Sequence, residues 1–170
     1  GLFAFGRLLL ESARFELAVV KPQMAYFERH GSPGIGALER LVALCRREGV
    51  LVLLDGKRGD IDATAEAYAE GFSRPGSALA CDAYTVHAYL GLGALERALA
   101  YTVAAGGGAF VVVRSSNPEG SVIQCARIAD GRSVAELLAD EIAGLNARLA
   151  AQGTAPIGAV LGATTDEAGA

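Results

Sequence analysis

The sequence predicts an α/β fold on a parallel sheet, a (β/α)8 TIM barrel of which five strands are visible. Three observations carry this. Short apolar runs are continuous rather than alternating, as in strands covered on both faces. Segments with helical spacing separate them, the alternation of a parallel sheet with helical crossovers. Nearly every run also ends in polar residues: Lys21, Asp55 with Lys57, His87, Ser115 with Ser116, and Thr164. A barrel gathers its strand ends around one mouth, so these distant residues converge there. A doubly wound open sheet fits the same alternation, but no Gly-x-Gly-x-x-Gly turn follows any strand, which weakens its dinucleotide-binding version. Five strands of eight leave the first and last outside the chain, with residues 1–170 one incomplete barrel domain.

Taken in order, residues 8–16 have helical spacing and 17–20 form a short buried strand. Pro22 forces an extended exit at Lys21. Residues 24–29 make a short helix or turn, and Gly31-Ser32-Pro33-Gly34 is a break. From 35 to 48, Leu38, Leu41, Val42 and Cys45 recur on one helical face. Gly49 stands where a helix-ending glycine belongs. The second strand is 50–54, followed by a helix over 64–72 and a loop at 73–77. The third strand is 81–86, with a loop at 87–91 and a helix over 95–104. Three glycines lead into a fourth strand, 109–113, whose exit at 114–120 is polar. A long helix covers 134–150, with Leu137, Leu138, Ile142 and Leu145 on one face, and the fifth strand is 156–161.

Composition narrows the function classes. With 52% hydrophobic and 20% charged residues, a large core is available. A net charge of -4 argues against nucleic acid or an anionic membrane as the main partner. It leaves room for a phosphorylated small molecule, which needs only local donors. No apolar run approaches the ~20 residues of a membrane span. The start lacks Met and a basic leader, and so is expected to be the interior of a longer chain rather than a signal peptide. Cys45, Cys81 and Cys125 are odd in number and far apart, fitting neither a disulfide framework nor a metal site. They are expected to be reduced thiols in or near the core of a cytoplasmic protein.

The chemistry concentrates in Asp55-Gly56-Lys57-Arg58-Gly59-Asp60-Ile61-Asp62-Ala63-Thr64. In an extended backbone Asp55 and Lys57 share a face, and Gly59 lets the chain turn before Asp60. A lysine between carboxylates is expected to stay protonated, as a proton donor and not a Schiff-base amine. On spacing alone, a salt-bridge patch with Asp60 or Asp62 capping the next helix fits equally well. Lys21 shifts the balance. Neighbouring parallel strands lie ~4.8 Å apart, so Lys21 can reach Asp55 and extend an alternating Lys-Asp-Lys-Asp row.

Asp55-x-Lys57-x-x-Asp60-Ile61-x-x-Thr64 after a buried strand, with Lys21-Pro22-Gln23 upstream, resembles the orotidine 5'-phosphate decarboxylase family. The likeness is strongest to its bacterial branch carrying Lys-Arg-Gly-Asp-Ile. Asp82-x-x-Thr85-Val86, Tyr89-Leu90-Gly91, Ser116-Asn117-Pro118 and Val160-Leu161-Gly162-Ala163-Thr164 follow in the same order, so the resemblance runs from about Phe15 onward. It implies a cofactor-free, metal-free barrel acting as a cytoplasmic homodimer. Its substrate would be orotidine 5'-phosphate and its product uridine 5'-phosphate, in de novo pyrimidine synthesis. Lys57 would protonate C6 as carbon dioxide leaves. Asp55 would face the departing carboxylate, and Lys21 would contact the ribose and hold Asp55. Asp60 and Thr64 would reach the partner's site. Ser116 would meet the pyrimidine amide edge, with Ile61 and Asn117 also lining the substrate.

Magnitudes rank these roles. Two like charges at ~4 Å and an effective dielectric of ~20 repel by ~4 kcal/mol, worth at most ~10³-fold in rate. A fixed ammonium aimed at the developing carbanion is therefore expected to be the larger effect. His87 stands where the family more often has Asn, as mouth residue or, the preferred reading, as loop packing. The family's first-strand Asp and its phosphate-binding Gln and Arg are expected outside residues 1–170, so this polypeptide alone is expected to be inactive. Rival readings are a Mg²⁺-dependent sugar-phosphate decarboxylase or synthase of the same suprafamily, a Schiff-base aldolase, and a non-catalytic barrel subunit.

Overall fold

The computed structural model describes residues 1–13, 16–149 and 154–163. Five parallel strands lie side by side in chain order: β1 (Val19–Val20), β2 (Leu51–Arg58), β3 (Ala83–His87), β4 (Gly108–Arg114) and β5 (Ile157–Leu161). That order separates the two architectures. A doubly wound sheet reverses its strand order at a switch point, whereas a barrel adds each strand beside the last. The five strands curl into part of a barrel wall.

The helices are α1 (Leu2–Ala13), α2 (Ala25–Glu28), α3 (Gly31–Arg47), α4 (Asp62–Ser73), α5 (Glu96–Ala104), α6 (Ser121–Gln124) and α7 (Val134–Leu149). Leu38, Leu41, Val42 and Cys45 of α3 are all buried, the face that their spacing predicts, and Gly49 follows with φ 71°. Val52 and Leu54 of β2, Tyr84 and Val86 of β3, and Val111 and Val113 of β4 form the sheet side of this core. The Phe72 ring of α4 packs on Tyr84, centroids 5.2 Å apart. Burial alternates along β4 and the first residues of β2, where Phe110 and Leu51 are exposed on the other face, whereas Tyr84, Thr85 and Val86 of β3 are buried in succession. In β4 and the start of β2, continuous apolar sequence therefore coexists with alternating burial, because the five described strands leave part of their concave face open.

Several boundaries differ from the sequence reading. Gly31-Ser32-Pro33-Gly34 is not a break but the first turn of α3, where a proline costs nothing because the N–H it lacks has no helical partner. β2 continues through the charged segment to Arg58 instead of stopping at Leu54. His87 closes β3 rather than opening a loop. Phe15, Ala150, Thr164, Thr165 and Asp166 lie outside the described residues. The cysteines are free thiols. Burial pushes Cys45 up and Cys81 to about 12, which keeps both protonated and poorly nucleophilic.

Candidate active site

The site is built where the chain after β1 meets the second half of β2. Pro22 cannot donate a backbone hydrogen bond, but its carbonyl accepts from Asp55 N–H at 2.9 Å, and Met24 N–H donates to Asp55 O at 3.1 Å. Residues 21–24 therefore run alongside Asp55, with Gln23 bridged to it. Alternation along this stretch turns both Lys21 and Gln23 toward the same carboxylate.

Asp55 is 3% exposed and every direction of its carboxylate is used. Lys21 Nζ lies 2.8 Å and Gln23 Nε2 3.2 Å from Oδ2. Lys57 Nζ lies 2.6 Å and Thr85 Oγ1 2.9 Å from Oδ1. A carboxylate offers about four lone-pair sites, so the four donors saturate it. Burial by itself would raise this carboxyl, but the hydrogen bonds from Lys21, Lys57 and Thr85 outweigh it and hold Asp55 at about 2. It is thus a fixed negative charge at neutral pH. The side chains of Lys21 and Lys57 remain about half exposed at the mouth.

Asp55 and Lys57 meet, but not through simple strand alternation. Lys57 has φ 45°, in the left-handed region, which costs a non-glycine residue about 1 kcal/mol. Between the pairs Leu54↔Tyr84 and Arg58↔Val86, β2 advances four residues while β3 advances two. This bulge redirects the strand end, as bulges beside sites commonly do. It also turns Arg58 toward the helices, where it pairs with Glu28 and sits 5.5 Å over the Tyr68 ring.

Two anchors on β3 hold the bulge. Lys57 N–H donates to Thr85 Oγ1 at 2.9 Å. Two residues further along each strand, Gly59 presses against His87: a Cβ at Gly59 would stand 2.6 Å from His87 O and 2.7 Å from its Nε2. Only glycine allows that approach, and His87 is accordingly a packing residue beneath the mouth.

Asp60 lies outside the Lys21–Asp55–Lys57 chain. Its Oδ1 accepts from Ile61 N–H at 2.8 Å, and among the described residues it makes no ion pair. The helix-cap reading of these acids fails as well, since Ile61 occupies the N-cap of α4 with no side-chain cap bond and Asp62 follows with φ 46°. Ile61 is 50% exposed and Thr64 is exposed, so the chain entering α4 presents both outward, with Asp60 half-buried just before them. After β4, Ser115 is held by Gln124 and donates to Asn117 Oδ1 at 2.7 Å, while Ser116 and Asn117 stay exposed at the same strand-end rim. Gln23 and Thr85, both inside the quoted motifs, are the site residues to which the sequence reading gave no role. The signals were present: Gln23 stands two positions after Lys21, and Thr85 is a polar residue inside an apolar strand.

Among the described residues no group of three His, Cys, Asp or Glu side chains could hold a metal ion, and no helix is long and apolar enough to cross a membrane.

Comparison with known proteins bears on this geometry. Residues 7–169 match the family model described as Orotidine 5'-phosphate decarboxylase / HUMPS family. The chain is 48% identical over 169 residues to an orotidine 5'-phosphate decarboxylase of Salinispora tropica, covering 99% of this chain and 60% of that protein. It is 51% identical over 165 residues to one from Myxococcus xanthus, covering 96% and 57%. A crystal structure from Streptomyces avermitilis, provisionally described as the same enzyme, superposes with TM-score 0.91 at 44% identity, covering 97% of this chain and 57% of that one. Leishmania donovani OMP decarboxylase gives 0.79 at 30%, covering 96% and 60%. The chain spans about 60% of the length of the curated relatives it matches.

Proposed function

Because the chain belongs to the orotidine 5'-phosphate decarboxylase / HUMPS family, we propose that it carries the catalytic centre of an orotidine 5'-phosphate decarboxylase of pyrimidine biosynthesis. The enzyme would be a cofactor-free carboxy-lyase working as a homodimer in the cytoplasm, with residues 1–170 inside one barrel domain. The observation that carries this reading is Asp55, buried, ionised and saturated by donors that include two mouth-facing lysines.

In the reaction, the bond from C6 to the carboxylate breaks, carbon dioxide departs, and the electron pair stays on C6. Lys57 stands beside C6, stabilises that charge, and gives it a proton; water then restores the ammonium. Asp55 meets the substrate carboxylate and repels it, which relieves strain as carbon dioxide leaves. Because Asp55 already has its four donors, it has no free site with which to accept from substrate, so its part is electrostatic and positional. That repulsion is limited to ~10³-fold. The ammonium is the larger contributor, since a preorganised charge aimed at a developing carbanion is not screened by water in a closed site. Lys21 contacts the ribose while fixing Asp55. Ser116 and Asn117 approach the pyrimidine from the β4 exit.

The half-buried Asp60 and the exposed Ile61 and Thr64 reach the second protomer's site. An acid that makes no ion pair among the described residues of its own protomer can complete a neighbour's lysine row. The decisive experiment follows the ultraviolet absorbance of orotidylate with full-length protein and its Lys57→Ala variant. Loss of a proton donor and charge stabiliser should slow turnover by ~10³-fold or more. Equal rates in the two proteins would remove Lys57 from the mechanism, and loss of wild-type activity on chelation would point instead to a metal-dependent member of the family.

A further inference from the structure

Thr85 is 4% exposed, inside β3, and makes two hydrogen bonds whose directions are forced. The Lys57 amide can only donate, so Thr85 Oγ1 accepts from it at 2.9 Å. An ionised Asp55 can only accept, so the hydroxyl proton goes to Oδ1, also at 2.9 Å. The same Oδ1 takes the Lys57 ammonium at 2.6 Å. Backbone and side chain of one lysine are thereby tied into a closed ring: Lys57 N–H to Thr85, Thr85 to Asp55, Asp55 back to Lys57 Nζ. The ring closes around a residue with φ 45°, a conformation that lysine adopts only when its surroundings impose it.

From this we infer that Thr85 is a positioning residue for Lys57: its hydroxyl sets both the left-handed backbone of Lys57 and the orientation of the carboxylate that aims the ammonium. The inference rests on the proposed decarboxylase reading for its kinetic consequence, though not for its geometric one. A hydroxyl is needed because the position must accept and donate at once. Valine has the same shape and can do neither; serine keeps both functions and loses only a methyl group.

The test compares Thr85→Val and Thr85→Ser in the full-length protein. If Thr85 positions Lys57, Thr85→Val lowers kcat by roughly 10–100-fold, the cost of a ~1 Å misplacement at a reacting centre, with KM changed by less than about 3-fold. Thr85→Ser stays within about 5-fold of wild-type kcat even where its lost methyl lowers Tm. A space-filling role gives the reverse order, serine worse than valine, and would overturn the inference. Hydrogen exchange at the Lys57 amide supplies a readout independent of activity. Exchange should quicken by about 10-fold or more in Thr85→Val and stay near wild type in Thr85→Ser, since a lost acceptor deprotects the amide. Unchanged exchange in Thr85→Val would refute the ring. Wild-type protein inert toward orotidylate would sink the decarboxylase reading, and amide exchange would still decide the role of Thr85.

Discussion

Acid should weaken this fold through Asp55, by an amount the geometry fixes. In the folded chain the carboxyl titrates at about 2, against 3.8 when free of its partners. A depressed folded value means the ionised form belongs to the native state. The stabilisation is therefore complete above about pH 5 and is lost as pH falls through 3.8 and on toward 2. Somewhat under two units corresponds to about 2 kcal/mol, of which about half should be gone by pH 3. Asp55 itself is nearly inaccessible, but the lysines are half exposed, so added salt should trim the figure. The assay is urea unfolding of full-length wild type and Asp55→Asn across pH 6 to 3, with other titrating groups common to both. The stability difference between the two should shift by about 1 kcal/mol against wild type over that range. A difference that stays level with pH would show that the four donors do not favour the ionised carboxylate, and the electrostatic account of the site would fall with it.

Two further perturbations test the surrounding scaffold. Gly59→Ala should destabilise the protein by about 1–3 kcal/mol in a thermal or urea melt, and His87→Ala should fail to rescue it, because the His87 carbonyl stays 2.6 Å from the new Cβ; full rescue would mean that the ring alone defines the contact. If Asp60 completes the partner's site, mixing inactive Lys57→Ala and Asp60→Ala proteins after subunit exchange should restore about a quarter of wild-type sites, since about half the dimers are mixed and one site in each is intact. A mixture no more active than its components would place Asp60 at its own protomer's site.

The legible part of this protein was the part written in local chemistry. Continuous apolar runs with polar ends gave parallel strands and a barrel, and the sequential strand order bears that out. The spacing of Leu38, Leu41, Val42 and Cys45 located α3 and its buried face. Lys21, Asp55 and Lys57 could be placed together because strand spacing puts residues from adjacent strand ends within a side chain's reach. The error at Gly31-Ser32-Pro33-Gly34 came from treating proline and glycine as breakers, when a helix's first turn tolerates both.

What remained illegible depended on neighbours that sequence does not name. Alternation explains why Asp55 and Lys57 could share a side, yet they meet through a bulge whose left-handed lysine no local propensity favours. That conformation exists because β3 supplies an acceptor at Thr85 and a close-packed floor at His87, thirty residues away in a register fixed only when the strands pair. The sequence by itself determined the barrel class and the residues able to carry charge at its mouth, because burial patterns and strand periodicity are local properties. Tertiary structure alone decided that Asp55 would be saturated, that Lys57 would be strained, and that Asp60 would stand outside their ion-paired chain. Each of these is set by distances across strands, and a hydrogen bond or a charge pair acts over ångströms of space rather than positions in the chain.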